Sequence, residues 1–206
     1  MTKIKICGLS KVEDIDIVNR YKPDYVGFVF AESKRCVSKD MAEILINRLD
    51  SDIKKVGVFV NPKLEFVKNM AENLKLDVVQ LHGDEDAEYI NELKKYTDCE
   101  IWKAVRVSDN SDTENLAVYN SDRILLDKYK NDSYGGSGEK FDWGSFSGKN
   151  IPQNIVLAGG LDKNNVLEGI RIFNPYAVDV SSGVEVNGAK SEEKVREFIE
   201  KVRRLA

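Results

Sequence analysis

Residues that build disulfide frameworks and metal sites are scarce in this sequence. The 206 residues include one histidine and three cysteines, Cys7, Cys36 and Cys99. An odd number of widely spaced cysteines argues against a disulfide framework and favours a reducing compartment. Because the chain has no Cys-x-x-Cys pair, a thiolate zinc site is not expected either.

Long apolar runs and an excess of positive charge are missing as well. The N-terminal MTKIKICGLS has no apolar stretch long enough for a signal peptide, and no segment approaches the ~18 apolar residues of a membrane helix. The net charge is −4 with both signs interspersed, whereas a nucleic-acid surface needs clustered Lys and Arg. We therefore expect a soluble, cytoplasmic protein that binds neither nucleic acid nor a membrane.

Eight short apolar runs recur along the chain and alternate with amphipathic segments. Runs that are almost continuously apolar are typical of parallel strands covered on both faces. The predicted strands are residues 4–9, 25–30, 55–60, 77–82, 101–107, 123–127, 155–160 and 177–182. Eight strand–helix units without a linker predict an α/β protein, a single-domain (β/α)8 TIM barrel over residues 1–206. An open doubly wound sheet is the alternative.

Capping residues predict where several helices begin. Asn61 is expected to cap a helix that has Pro62 in its first turn, and Asp162 and Ser191 are expected to cap two later helices. A weaker helix signal covers residues 109–120. The aromatic ring of Trp143 is expected to lie in the core.

The single histidine, His82, stands in the segment QLHGDE. One histidine with two acids at a helix start is a poor set of metal ligands. We therefore expect no metal here, and expect Asp84 and Glu85 to cap the following helix.

Glycine-rich segments stand at the ends of the last three predicted strands: YGGSG at 134–138 follows the sixth, LAGGL at 157–161 ends the seventh and VSSGVE at 180–185 ends the eighth. An isolated Gly-Gly pair more often marks a plain turn. Barrel phosphate sites, however, are commonly built from the loops after strands seven and eight, where glycine lets backbone N–H groups approach the anion. Three such clusters predict a bound phosphate, with YGGSG folding over the ligand rather than acting as a linker.

Active sites of such barrels lie where the strands end, so residues at those positions are candidates for chemistry. Cys7 ends the first predicted strand and is either a small buried hydrophobe or a base whose pKa a nearby cation lowers. Asp127 ends the sixth strand and is either a turn former or an acid kept protonated by burial. Arg35 follows the second strand and is either solvated or a partner for a carboxylate.

Motifs at nearly every predicted strand end occur in order along the chain: KICGL, GFVF with ESKR, VGVFVN, VQLHGDE, ILLD, GGSGEKFDW, LAGGL and AVDVSSGVE. On these motifs, which span nearly the whole chain, the sequence resembles the phosphoribosylanthranilate isomerases of tryptophan biosynthesis. As a set they are far more specific than any single glycine motif.

The resemblance implies an Amadori rearrangement of N-(5′-phosphoribosyl)anthranilate to 1-(o-carboxyphenylamino)-1-deoxyribulose 5-phosphate, with no metal and no organic cofactor. It implies that Cys7 of KICG is the general base, that Asp127 of LLD is the general acid, and that Arg35 holds the anthranilate carboxylate. The expected substrate-binding residues are Arg35, His82, Gly135, Gly136, Gly138, Gly159, Gly160, Asp179, Ser181, Ser182 and Gly183.

Three other functions stay open on the sequence. A lyase resembling indole-glycerol-phosphate synthase would need a catalytic lysine and glutamate at strand ends that here hold other residues. A barrel resembling ribulose-phosphate epimerase would need several metal ligands, and one histidine argues against it. A sugar-phosphate sensor without activity is the non-enzymatic alternative. The protein is expected to be a monomer or a weak homodimer.

Overall fold

Eight parallel strands close into a barrel in the computed structural model, which describes residues 1–107, 116–128, 143–146 and 154–205. Each strand pairs with its neighbours in sequence order, and the last pairs with the first. The strands are β1 Lys3–Cys7, β2 Tyr25–Val29, β3 Lys54–Phe59, β4 Val78–Leu81, β5 Glu100–Val107, β6 Arg123–Lys128, β7 Ile155–Leu157 and β8 Ala177–Val180. The predicted (β/α)8 barrel is thus confirmed, and pairing of β1 with β8 excludes the open sheet.

Helices pack on the outside of the barrel. Within the described ranges they are α1 Val12–Tyr21, α2 Lys39–Ile46, α3 Leu64–Leu74, α4 Ala87–Leu93, α5 Val166–Phe173 and α6 Glu192–Arg203. None of the helices in these ranges is long and apolar enough to cross a bilayer.

Side chains alternate along each strand between the barrel interior and the helix layer. On β1, Ile4 and Ile6 belong to the core shared with the helices, whereas Cys7 belongs to the interior cluster. Lys5 is fully buried and, by the same alternation, points into the interior beside Cys7. The alternation therefore brings a charged residue and a thiol together inside the barrel.

The predicted helix caps Asn61 and Asp162 are wrong, because each helix begins further along the chain. α3 begins at Leu64, because Asn61 has a left-handed backbone (φ 46°) and its N–H donates to Glu85 at 2.8 Å. Asp162 accepts hydrogen bonds from the N–H groups of the next two asparagines in a turn, and α5 begins only at Val166. The cap at Ser191 is confirmed, since its side chain accepts from the N–H of Lys194.

The helix after His82 is also capped differently from the prediction. Asp86 caps α4 by accepting from the N–H of Tyr89 at 2.8 Å. Glu85 is buried and pairs with buried Lys103 at 2.9 Å. This carboxylate also accepts from the N–H of Gly83 at 3.0 Å, so it fixes the loop after β4 instead of capping a helix.

Three 3₁₀ turns lie in the described residues of the second half of the chain, and one of them, Ser182–Val184, follows β8. Leu116–Tyr119 form another, whereas the first part of the predicted helix at 109–120 lies outside the described residues. Trp143–Phe146 form the third and bury Trp143, as predicted.

A short antiparallel hairpin follows β8, although no strand is predicted there. Its strands are β9 Glu185–Val186 and β10 Ala189–Lys190. Asn187 and Gly188 connect them with φ angles of 51° and 79°. Asn-Gly favours such a two-residue turn because both positions need a positive φ. The hairpin brings Glu185 and Lys190 to the barrel mouth.

Candidate active site

A pocket of about 570 Å³ lies at the C-terminal ends of the barrel strands, where barrel enzymes have their active sites. Its polar and glycine lining comes from six strand ends and comprises Cys7, Glu32, Ser33, Arg35, Gln80, His82, Asp127, Gly159, Gly160, Asp179, Ser181 and Ser182. Its apolar lining comprises Val29, Phe30, Ala31, Val58, Val60, Ala158 and Leu161. The pocket therefore combines titratable groups with an apolar wall.

Cys7 is buried at the end of β1 and lies beside Gly27 of β2, its register partner. A Cβ on Gly27 would lie 2.6 Å from the thiol and 3.2 Å from the Lys5 ammonium, so both groups fill the space that this glycine leaves. Burial raises the pKa of the Cys7 thiol above its ordinary value, although Lys5 and Lys190 act in the opposite direction. The cations expected from the sequence are present, but burial outweighs them.

Lys5 and Asp179 form an ion pair beneath Cys7. Nζ of Lys5 donates to Oδ2 of Asp179 at 2.8 Å, across register partners of β1 and β8. Burial lowers the pKa of Lys5, but attraction to Asp179 and Cys7 outweighs this and the net shift is upward, so Lys5 stays an ammonium. Oδ1 of Asp179 is buried and has no hydrogen-bond partner among the described residues. This oxygen is available to a donor on a ligand.

Asp127 is the second-last residue of β6 and contacts the single imidazole of the chain. Nε2 of His82 lies 3.2 Å from Oδ2 of Asp127, and Nε2 of Gln80 lies 2.9 Å from Nδ1 of His82. Because the amide nitrogen of Gln80 is the donor in this network, the ring proton is assigned to Nε2 of His82. His82 therefore donates to Asp127.

Arg35, after β2, forms a two-bond pair with Glu185 of the hairpin. Its Nε and Nη2 donate to the two carboxylate oxygens at 2.8 and 2.7 Å. Nζ of Lys190 donates to the same carboxylate at 2.6 Å. Arg35 is thus held at the edge of the pocket and is not a freely solvated side chain.

The predicted phosphate loops are only partly within the described residues. Gly159 and Gly160 line the pocket with left-handed φ angles of 81° and 73°, and Ser181 and Ser182 lie on the same wall. Gly183 does not line the pocket. A Cβ on it would lie 1.9 Å from the carbonyl oxygen of Leu161, so it allows the loops after β7 and β8 to pack closely.

Three predicted phosphate ligands, Gly135, Gly136 and Gly138, lie outside the described residues. Of the other predicted site residues, all but Gly183 line one pocket.

Sequence reasoning missed Lys5, Gln80, Glu185 and Lys190. The alternation in KIKIC places Lys5 and Cys7 on one face of a strand, and that signal was available. The turn pair Asn187-Gly188 likewise predicts the hairpin that carries Glu185 and Lys190. In the described part of the chain, no three His, Cys, Asp or Glu side chains are grouped so that they could hold a metal ion.

The fold and the pocket together define a (β/α)8 barrel with a thiol, a carboxyl group and a guanidinium at its catalytic end. A family model described as N-(5′-phosphoribosyl)anthranilate (PRA) isomerase matches residues 4–201. The chain therefore belongs to this family.

Individual relatives agree with this assignment along the whole chain. The N-(5′-phosphoribosyl)anthranilate isomerase of Clostridium acetobutylicum is 50% identical, with 100% of both chains covered. That of Thermoanaerobacter sp. is 50% identical, with 98% of each chain covered. The crystal structure of the Thermotoga maritima enzyme superposes with a TM-score of 0.87 at 35% identity, covering 99% of this chain and 100% of that one.

One solved relative contains a bound ligand. It is a phosphoribosyl anthranilate isomerase in complex with reduced 1-(o-carboxyphenylamino)-1-deoxyribulose 5-phosphate. It is 34% identical, has a TM-score of 0.82 and covers 99% of this chain and 100% of its own.

Proposed function

We propose that this protein is the N-(5′-phosphoribosyl)anthranilate isomerase of tryptophan biosynthesis, with Cys7 as general base and Asp127 as general acid. The observation that carries the proposal is the common pocket. A thiol on β1 and a carboxyl group on β6 line it together with Arg35, in a chain of this isomerase family. The reaction needs one group that delivers a proton and one that removes a proton, on a substrate with two anionic ends.

Substrate orientation follows from the charges at the mouth. Arg35 binds the carboxylate of the anthranilate ring, and the glycine and serine loops after β7 and β8 bind the phosphate. The apolar wall, which includes Phe30 and Val58, supplies a surface for the ring. Fixing both ends brings the sugar carbons between the acid and the base, which lowers the entropic part of the barrier.

Ring opening is the first chemical step. Asp127 donates a proton to the ring oxygen of the ribose, the bond from that oxygen to C1′ breaks, and the nitrogen lone pair forms a protonated Schiff base. His82 holds the carboxyl group of Asp127 in place for this transfer through its contact at 3.2 Å. Positioned proton transfer of this kind is worth ~10²–10⁴-fold in rate.

Proton removal from C2′ is the second step. The Cys7 thiolate takes the proton, and the C–H electrons form the C1′–C2′ double bond of an enolamine while the nitrogen becomes neutral. The enolamine then gains a proton at C1′ and loses the hydroxyl proton at C2′, which gives the ketone. The ammonium of Lys5 stabilises the thiolate electrostatically and is not itself a base, because its pairing with Asp179 keeps it protonated.

Unpartnered acceptors support binding of a polyhydroxylated ligand. Oδ1 of Asp179 and Oε1 of Gln80 are buried without a hydrogen-bond partner among the described residues, and both side chains line the pocket. Leaving such groups unsatisfied is costly, so a sugar hydroxyl is a suitable partner. Asp179 is accordingly proposed as a substrate-binding residue.

The experiment is an activity assay with the purified protein. Phosphoribosylanthranilate is added, and the loss of its anthranilate-type fluorescence is followed against a control without protein. The proposal expects first-order loss at a rate proportional to protein concentration. If a folded protein causes no faster loss of fluorescence than the control, the proposal is wrong. The protein would then be a sugar-phosphate sensor or a barrel enzyme with another function.

A further inference from the structure

Arg35 is bound along one edge of its guanidinium. Nε donates to Oε1 of Glu185 at 2.8 Å and Nη2 donates to Oε2 at 2.7 Å, so two parallel bonds fix the plane of the group. The two residues are 150 positions apart: Arg35 comes from the loop after β2 and Glu185 from β9 of the hairpin after β8. A two-bond pair of this kind adds geometric specificity to its electrostatic attraction.

The other edge of the guanidinium has unused donors. A guanidinium carries five N–H donors, of which the Glu185 pair uses two. Nη1 makes no hydrogen bond to any residue in the described ranges, and Arg35 lines the pocket. The edge formed by Nη1 and Nη2 therefore offers donors to a second carboxylate in the same two-bond arrangement.

Two lysines, Lys190 and Lys194, hold the carboxylate and the backbone of Glu185 in place. Nζ of Lys190 donates to Oε1 of Glu185 at 2.6 Å and to the carbonyl oxygen of Ser181 at 3.2 Å, and Nζ of Lys194 donates to the backbone oxygen of Glu185 at 2.8 Å. The side chains of Lys190 and Glu185 are 2% and 9% exposed, so the contacts are shielded from water. Burial alone would raise the pKa of Glu185, but bonds from Arg35 and Lys190 outweigh it and the net shift is downward.

The aliphatic part of Arg35 is confined as well. Gly8, directly after Cys7, has φ 78°, and a Cβ there would lie 2.4 Å from Cδ of Arg35. The Arg35 side chain therefore passes over Gly8, in the loop after β1, and Cδ of Arg35 occupies the space that a Cβ would need. Contacts at both ends hold this long side chain in one conformation before a ligand binds, so binding costs less rotamer entropy.

We propose that Glu185 is a positioning residue that holds the guanidinium of Arg35 so that its opposite edge recognises a planar carboxylate on the ligand. This inference rests on the proposed function, in which that carboxylate belongs to the anthranilate ring. Lys190 keeps Glu185 in place through its hydrogen bond to Oε1. The site is selective for a ligand with a carboxylate because an uncharged ring leaves the guanidinium edge unpaired.

Removing the charge of Glu185 distinguishes positioning from competition. If Glu185 only competed with the ligand for Arg35, Glu185→Gln would tighten carboxylate binding. In the positioning account the same change leaves Arg35 and Lys190 facing each other as like charges, because both bond to Oε1 of Glu185. Arg35 then turns away, and carboxylate binding weakens.

The test compares two ligands by isothermal titration calorimetry: reduced 1-(o-carboxyphenylamino)-1-deoxyribulose 5-phosphate and its counterpart without the ring carboxylate. For Glu185→Gln we expect the Kd of the first to rise about tenfold or more, as for a weakened charge-assisted pair, and the Kd of the second to change by less than about twofold. In an Arg35→Ala background, Glu185→Gln should add no further loss. Glu197→Gln, which breaks an ion pair on the outer surface, is the matched control and should change neither Kd.

Several results would overturn the inference: tighter carboxylate binding by Glu185→Gln, equal losses for both ligands, an added loss in the Arg35→Ala background, or no binding of the first ligand to the natural sequence. Failure of the proposed function is detected separately. It appears as absent turnover of phosphoribosylanthranilate by the natural sequence, whatever the two Kd values show.

Discussion

Nε2 of His82 lies 3.2 Å from Oδ2 of Asp127, so the only imidazole in the chain holds the carboxyl group proposed as the acid. Gln80 fixes the ring from the other side at 2.9 Å. Both His82 and Asp127 have side chains about 10% exposed, which limits competition from water. The histidine therefore acts on Asp127 as a positioning residue in the proposed reaction.

Removing the imidazole should slow chemistry more than it weakens binding. His82→Phe keeps a ring but removes the hydrogen bond to Asp127. We expect kcat to fall about tenfold or more with little change in KM, because the carboxyl group of Asp127 becomes a carboxylate as it gives up its proton and loses the hydrogen bond that stabilises this charge. His82→Gln, which keeps an N–H donor near the position of Nε2, should recover part of the rate. Equal losses in both variants would mean that the volume of the ring, and not its hydrogen bond, is what matters.

The pH dependence should report the burial of Cys7. Burial raises the pKa of its thiol, so the thiolate fraction at neutral pH is small and grows as pH rises through a pKa above the ordinary value. Because kcat/KM reports groups of the free enzyme and the reaction needs both a thiolate and a protonated acid, we expect a bell-shaped pH profile, with one limb removed in each of Cys7→Ser and Asp127→Asn. Iodoacetamide alkylation of Cys7 in a Cys36→Ser/Cys99→Ser background should have its midpoint at the same high pH. A midpoint at or below that of a free cysteine would contradict this description of the site.

The ion pair beneath Cys7 should be necessary for stability. Lys5→Met leaves the Asp179 carboxylate buried without its cation, which typically costs about 3–5 kcal/mol in free energy of unfolding. Urea denaturation at pH 7 measures this cost, and Lys5→Met/Asp179→Leu should recover much of it. The control is Lys163→Met, whose ion pair with Glu197 has the same 2.8 Å distance but is exposed. Equal losses from the two single lysine variants would show that burial is not the cause.

Much of the fold was predictable because a parallel barrel strand is covered on both faces. Such strands appear as short apolar runs, and all eight predicted segments overlap the strands of the barrel. Cys7, Asp127 and Arg35 were identified because each stands at or just after a strand end. Helix starts were harder to predict, since Asn61 adopts a left-handed backbone that a sequence pattern does not reveal.

The missed residues depend on contacts between distant parts of the chain. Lys5 is a lysine inside the barrel, and only its pairing with Asp179, 174 positions away, makes that burial tolerable. In the sequence, nothing distinguishes Glu185 from an ordinary loop acid; its role follows from its contact with Arg35. Local pattern and propensity carry no information about such partners.

The anion site should lie at the C-terminal end of the barrel. Crystals soaked in phosphate or sulfate should show the anion near Gly160 and the Ser182–Gly183 segment, bound by backbone N–H groups. The sequence also predicts that the backbone at Gly136, which lies outside the described residues, contacts the anion. Gly160→Ala is expected to weaken phosphate binding, because φ 73° strains any residue with a Cβ. An anion found only at the N-terminal end of the barrel would refute the site.

The central claim is that Cys7 is the base, and the turnover number of Cys7→Ala tests it most directly. The variant should have the circular dichroism spectrum of the natural sequence and a kcat lower by at least ~10²-fold, the lower end for general acid–base catalysis. Cys7→Ser should also be poor, because a hydroxyl group is a much weaker base than a thiolate. Turnover of Cys7→Ala near that of the natural sequence, with the fold intact, would contradict the account and assign the base to another residue.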